Sequence, residues 1–249
     1  MIIIVIIDPG HGGIDCGKGS NIYFNEKDKN LQISRYIYDR IISLGINAYL
    51  TRKTDQLILP DERINFINNI INNKSNILIS NHLGYQDSSN GSIIYSKNTD
   101  FDLIKQLSSE LNINDTKIIT NFNNEDFYYI LRESKISNSL IIFYGNTSAI
   151  DDLNNLMENW ITTAEKVVIA ICKYLNVKYE PLKEQLYIIK RSDTLKSISH
   201  TFNVSTDYLK KINNLSSDII FPYGILKRAK EFLICADLYN ITKKTGENL

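Results

Sequence analysis

The sequence predicts an α/β fold, a twisted and mostly parallel sheet flanked by helices, followed by a small βααβ unit. Three observations carry that expectation. The first is Ile2 to Ile7, six consecutive apolar residues that run straight into Asp8, Pro9, Gly10, His11, Gly12 and Gly13. A continuous run of β-branched residues implies a strand covered on both faces, as in a parallel sheet. The second is the return of short apolar runs between stretches of helical period. The third is Asn176 to Glu184, a stretch with Pro181 and mixed charges that reads as a linker before a second set of strand and helix signals.

Taken in order, the first strand ends in a glycine-rich turn that can present His11 to a cleft instead of packing it into the core. Asn25-Glu26-Lys27-Asp28 then opens a helix with an Asn cap and an acidic first turn. Leu31, Ile33, Ile37, Ile41 and Leu44 recur at helical spacing up to Gly45, which suits the residue after a helix end. Ile46 to Thr51 is a second strand. Pro60, Asp61 and Glu62 start another helix, whose inner face is Ile64, Ile67 and Ile71. Arg63 in its first turns is expected to pair with a carboxylate near the sheet, in a structural role. Ile77 to Ser80 is a third strand, ending at Asn81-His82.

A polar loop, Gln86 to Gly91, precedes a strand at Ser92 to Tyr95 and a helix carrying Phe101, Ile104, Leu107 and Leu111. The Asn-rich stretch Asn112 to Asp126 reads as an exposed connection, and Phe127 to Leu131 and Ser139 to Phe143 read as two further strands. Asp151 and Asp152 are expected to cap the longest helix, and its stripe of Leu153, Leu156, Trp160, Ala164, Val167, Val168 and Ile171 closes the first domain near Leu175. The expected organisation is a domain over 1–175, a linker over 176–184, a small domain over 185–228 and an unassigned extension over 229–249.

Composition narrows the partners. Apolar residues at 43% and charged residues at 22% are ordinary globular values, and a formal net charge of zero gives no bulk attraction to nucleic acid or an anionic surface. No apolar run approaches the roughly 20 residues that span a bilayer. Met1 is followed at once by the strand, without a basic region or small-residue cleavage site, so synthesis is expected to end in the cytoplasm. Cys16, Cys172 and Cys235 are odd in number and far apart, which favours reduced thiols. Cys16 could be a fourth metal ligand or a reactive thiol, but no basic residue adjoins it, and filler is the simpler reading.

Histidine is scarce, and two of the three, His11 and His82, fall where apolar runs end. That is the edge at which parallel sheets bind ligands. A catalytic zinc takes about three protein ligands of nitrogen or carboxylate type and keeps one position open. Glu26, at the entry of a helix, can supply the third ligand or serve only as a carboxylate complementing the helix dipole.

At these residues the chain resembles a known family. His11 in DPGHGG, Glu26 in NEKDKNL, Leu50-Thr51-Arg52 with Thr54-Asp55, Leu59 to Arg63 in LPDER, and His82 in ISNH are similar, in order and spacing, to the zinc-dependent N-acetylmuramoyl-L-alanine amidases of the type 3 family. The resemblance covers roughly the first 175 residues and implies that His11, Glu26 and His82 ligate Zn2+. It implies cleavage of the amide between muramic acid and the first alanine of the peptidoglycan stem peptide. Arg132 matches an arginine of the family and is expected to contact that peptide or a carboxylate.

The chain departs from the family at its catalytic glutamate, which stands in the last strand two residues before a glycine. Here Phe143 occupies that position, before Tyr144-Gly145, and sliding the alignment by one offers only Ile142. Glu133 and Asp126 are the nearby carboxylates that could substitute, Glu133 the better placed. Gly84 replaces a further family asparagine after His82.

Tyr187 to Leu226 resembles a LysM domain, a module that binds the N-acetylglucosamine backbone of peptidoglycan, with Ser192 where a glycine is usual. The resemblance implies Asp193, Thr194 and Asn213 as glycan-contacting residues. Two readings follow. One is a LysM-targeted peptidoglycan amidase, endolysin-like or released by lysis. The other is a catalytically degraded amidase that binds wall as a component of a phage tail-like particle or a sporulation complex.

Overall fold

A computed structural model describes residues 3–18, 20, 25–70, 76–84, 92–98, 102–113, 116–117, 128–182 and 185–228. The chain divides into two compact units, Met1–Glu180 and Pro181–Leu249. Asp126, Cys235, the Gln86 to Gly91 loop and the extension over 229–249 lie outside the described residues.

The first unit runs β1 (Val5–Pro9), α1 (Glu26–Ser43), β2 (Ala48–Leu50), α2 (Pro60–Ile70), β3 (Ile77–Gly84), β4 (Ile93–Ser96), α3 (Asp102–Leu111), β5 (Thr116–Lys117), α4 (Tyr129–Glu133), β6 (Asn138–Asn146) and α5 (Ile150–Leu175). Its sheet has the order β2-β1-β3-β6-β4-β5, in which β2, β1, β3 and β6 run parallel and β4 runs antiparallel to β6. Every residue of β1 is buried, as the unbroken apolar run requires. Helix α1 packs on β1, β3 and α5, while α2 packs against α4. Alternation along each strand sorts the side chains. Ile6, Leu78 and Ile141 join Ile67 of α2 and Ile130 and Leu131 of α4 in one apolar cluster.

Helix ends are held in different ways: Ala149 takes the N-cap position of α5 without a side-chain cap bond, so Asp151 and Asp152 lie within its first turn and do not cap it. Asn25 takes the N-cap position of α1 but makes no cap bond; its side-chain amide donates to Asp28. Ser20 serves instead, its hydroxyl accepting the Glu26 N–H at 2.8 Å. Gly45, with φ +81°, follows the end of α1 in the left-handed conformation glycine tolerates. Trp160 is fully buried in α5, edge-on to Tyr36.

One expected strand is absent among the described residues. Tyr129 to Leu131 lies in α4, whose Leu131 and Arg132 N–H groups both donate to the Tyr128 carbonyl. β6 already has β3 on one side and β4 on the other, so no strand position remains beside it. A short apolar run does not by its periodicity separate a strand from a buried helical turn.

The start of the stretch expected as a linker is bonded into the first unit. Tyr179 donates its hydroxyl to Glu165, and Arg40 donates to the Glu180 carbonyl. The second unit comprises β7 (Gln185–Ile188), α6 (Leu195–Thr201), α7 (Thr206–Asn213) and β8 (Ile225–Arg228), with β7 and β8 antiparallel. Ile189, Leu195, Ile198, Leu209 and Leu226 form its own small core.

Candidate metal centre

The carboxyl ends of β1 and β3 bring His11 and His82 to one edge of the sheet, and the start of α1 delivers Glu26 beside them. Glu26 Oε1 lies 3.4 Å from His11 Nε2 and 3.4 Å from His82 Nδ1. Bonds of about 2 Å at tetrahedral angles place ligand atoms about 3.3 Å apart, so these two separations match two edges of a zinc tetrahedron. One ligand atom from each of the three residues lies within 4.8 Å of the others. The imidazoles meet edge-on with centroids 4.9 Å apart. Donor set and spacing both fit a zinc ion. Cys16 is not part of this group.

Electrostatics agree with that arrangement. Burial alone would push the Glu26 carboxyl up, but hydrogen bonds with His11 and His82 outweigh it and hold the pKa at about 2. Burial disfavours a charged His11, yet its hydrogen bonds with Glu26 and Asp15 prevail and its pKa is raised. Glu26 is only 2% exposed. An isolated carboxylate so buried would be costly, and two imidazoles plus the Leu83 N–H, 3.1 Å from Oε1, offset that cost.

The turn bearing His11 is held by two buried arginines. His11 has φ +62°, a conformation uncommon outside glycine, and something must maintain it. Arg63 donates to Asp8 Oδ1 at 2.5 Å, to the Pro9 carbonyl at 3.0 Å and to the His11 carbonyl at 3.1 Å. Arg52 donates to the carbonyls of Pro9, Gly10 and Lys27. Asp8 accepts further bonds from Thr51 and Ser80. Burial would raise its pKa, but the Arg63 charge and these hydrogen bonds leave it lowered. Two glycines give the triad room: a Cβ at Gly10 would overlap the His82 ring, and one at Gly17 would overlap the Glu26 carboxylate.

A cavity of about 540 Å³ opens beside the triad, lined among others by Asp15, Leu59, Tyr128, Tyr129 and Phe143. Phe143 pairs directly with His82 across β3 and β6, and its ring lies 5.3 Å from the imidazole, between Tyr95 and Tyr128. Ile142 pairs with Asn81 and so faces the other side of the sheet. Position 143 is therefore the β6 residue that addresses the triad, and it carries an aromatic ring.

The other expected residues lie elsewhere. Glu133 does not line the cavity: its carboxylate pairs with Arg132 at 2.8 Å and its side chain is 54% exposed. Arg132 is likewise outside the lining. In the second unit, Asp193 accepts from the Tyr187 hydroxyl and the Lys190 N–H. Thr194 caps α6 through a capping box with Ser197. Asn213 accepts the Lys227 N–H and donates to the Leu209 and Lys227 carbonyls, joining α7 to β8. These bonds brace the unit internally.

Sequence reasoning missed two features. Asp15 contacts His11, and its only signal was a spacing of four residues across the turn. Ile219 and Phe221 stand 68% and 73% exposed before β8, which no periodicity announces.

Residues 5–176 match the profile of the family described as N-acetylmuramoyl-L-alanine amidase, and residues 187–223 match the LysM domain. The solved structure of Cwp6 from Clostridium difficile is similar at 26% identity and a TM-score of 0.61, covering 70% of this chain and 30% of that one. The CwlD amidase from Clostridioides difficile, solved in complex with the GerS lipoprotein, is similar at 27% identity and a TM-score of 0.58, covering 71% of this chain and all of that one. YqiI of Bacillus subtilis (strain 168) is 40% identical over 60 residues, 24% of this chain and 29% of its own. The chain thus spans under a third of the length of YqiI and Cwp6.

Proposed function

We propose that this chain, which belongs to the N-acetylmuramoyl-L-alanine amidase family through residues 5–176, is a zinc protein of the cell wall that cleaves the amide between muramic acid and the stem peptide. The observation that carries this reading is Glu26 Oε1 at 3.4 Å from a nitrogen of each histidine. His11, Glu26 and His82 would hold the ion. When bound, zinc supplies Lewis acidity, polarising the scissile carbonyl and making a water nucleophilic near neutral pH. Arg63 holds the His11 carbonyl and Arg52 the Gly10 carbonyl before it, and the cavity walls set the amide beside the triad. The LysM domain holds the protein on glycan strands, raising its effective concentration there.

Purified full-length protein is expected to carry about one zinc per chain by elemental analysis. His82→Ala should lower zinc affinity by more than about a hundredfold, beyond what loss of a supporting residue costs. Release of dye from labelled peptidoglycan, with and without added zinc, tests the activity. A wild-type chain that retains no zinc would sink the reading.

A specific observation favours a second reading. Phe143 puts a ring where the family resemblance places the carboxylate that manages protons, so the domain would bind wall without cleaving it efficiently. In the first reading the protein reaches the wall as an endolysin-like or lysis-released enzyme. In the second it is a component of a phage tail-like particle or a sporulation complex.

Wall binding itself has a candidate platform. Phe221 and Ile219 are exposed apolar groups, and Arg191 donates to the Tyr223 hydroxyl beside them in sequence. A flat ring exposed on a glycan-binding module suits stacking on a sugar face. Phe221→Ala in the full chain should weaken pelleting with purified peptidoglycan about fivefold, the equivalent of about 1 kcal/mol of aromatic contact. Unchanged pelleting would remove Phe221 from the glycan site.

A further inference from the structure

The cavity beside the triad is lined by three carboxylates, Asp8, Asp15 and Glu26. Asp8 is consumed by Arg63, Thr51 and Ser80, and Glu26 belongs to the triad. Asp15 has a different environment. Its side chain is 52% exposed, and its Oδ2 lies 2.8 Å from His11 Nδ1. The other carboxylate oxygen accepts the Gly17 N–H at 3.1 Å. Its backbone is fixed as well, through reciprocal bonds between Asp15 and Gly12 that close a tight turn.

The two ring nitrogens of His11 therefore meet two carboxylates. Nδ1 meets Asp15, and Nε2 meets Glu26 Oε1 at 3.4 Å. A neutral imidazole has one N–H and one lone pair, and the partner of one nitrogen decides which atom can ligate. From this geometry we propose that Asp15 is a positioning residue: it takes the Nδ1–H of His11 and so fixes the tautomer and ring plane that leave the Nε2 lone pair directed at the metal position. This rests on His11 being a zinc ligand. Orientation of a ligating histidine by a carboxylate also makes the ligand nitrogen more basic.

The contact does little for the fold. A half-exposed pair across a tight turn adds little to stability, because solvent screens it. Loss of a carboxylate that orients a metal-bound histidine costs about 10–100-fold in metal affinity. The positioning role thus predicts a large change in zinc affinity with almost none in unfolding temperature. A role confined to bracing the turn predicts the opposite.

The test uses the full chain as wild type, Asp15→Ala and Asp15→Asn. Zinc affinity is measured by competition with a chelating dye, melting by circular dichroism, and the His11 tautomer of metal-free protein by long-range nitrogen-proton NMR. Wild type should show His11 protonated on Nδ1. Asp15→Ala should bind zinc about 10–100-fold more weakly, lose the single tautomer and melt close to wild type. Asp15→Asn keeps an acceptor of the same shape without the charge and should fall between the two. If Asp15→Ala fails to fold, Asp15→Asn and the wild-type tautomer decide: affinity within twofold of wild type, or His11 protonated on Nε2, overturns the proposal. A zinc-binding wild type with an unaltered Asp15→Ala overturns the positioning role alone. A wild type without zinc overturns the metal reading as well.

Discussion

Arg63→Met will destabilise the first unit by about 3–5 kcal/mol at neutral pH, the usual cost of removing one partner from a buried ion pair. Asp8 is 1% exposed, and Arg63 is its only cationic partner among the described hydrogen bonds. In the wild type the folded pKa of Asp8 is lowered, so its stabilising contribution is present above the ordinary carboxylate range and lost as pH falls through the folded value. In the variant, burial acts without that opposing charge, and the folded pKa rises from its wild-type value. The resulting penalty is present at neutral pH and is relieved as pH falls through the raised value. Urea unfolding at pH 7 and pH 4.5 should therefore show a gap between the two proteins that narrows in acid. A gap that is constant with pH would mean that Arg63 contributes through packing alone. Since Arg63 also holds the Pro9 and His11 carbonyls, zinc affinity should fall together with stability.

Much of this arrangement was legible in the chain because the run from Ile2 to Ile7 is so uniform. Six β-branched residues followed by a glycine-rich turn favour a covered strand whose end faces a cleft, and a scarce histidine there stands out. Arg63 was legible as a partner of some carboxylate, since an arginine on the first turn of an amphipathic helix faces the sheet edge. Its hold on the His11 backbone was not, because carbonyl groups leave no mark in a sequence. Asp15 was missed for a related reason. A spacing of four residues suggests a helical neighbour, whereas here a turn with glycines at φ +140° and +61° brings the two side chains together. The α4 segment misled because burial, which Ile130 and Leu131 have, does not reveal the period of a run so short. Glu133 looked well placed by sequence distance, but the helical turn carries it away from the cavity lining and onto Arg132.

Phe143→Glu will raise peptidoglycan hydrolysis by tenfold or more, and up to about 10⁴-fold if proton transfer limits the wild type, the range a positioned general base contributes. The register supports a confined change. Position 143 pairs with His82, and the side chain already lies 5.3 Å, centroid to centroid, from that imidazole. A carboxylate there would project from the same strand end over the same cavity. Its surroundings can receive a charge, because Phe143 is only partly buried and lines an open cavity. The control is Phe143→Gln, similar in size to the glutamate and unable to take a proton. If both variants gain equally, the benefit comes from removing the ring and the general-base argument fails. If the wild type already releases dye briskly and Phe143→Glu leaves the rate unchanged at equal zinc content, the degraded-enzyme reading is wrong. A gain confined to the glutamate would show that one side chain separates a wall-binding domain from a hydrolase on the same scaffold.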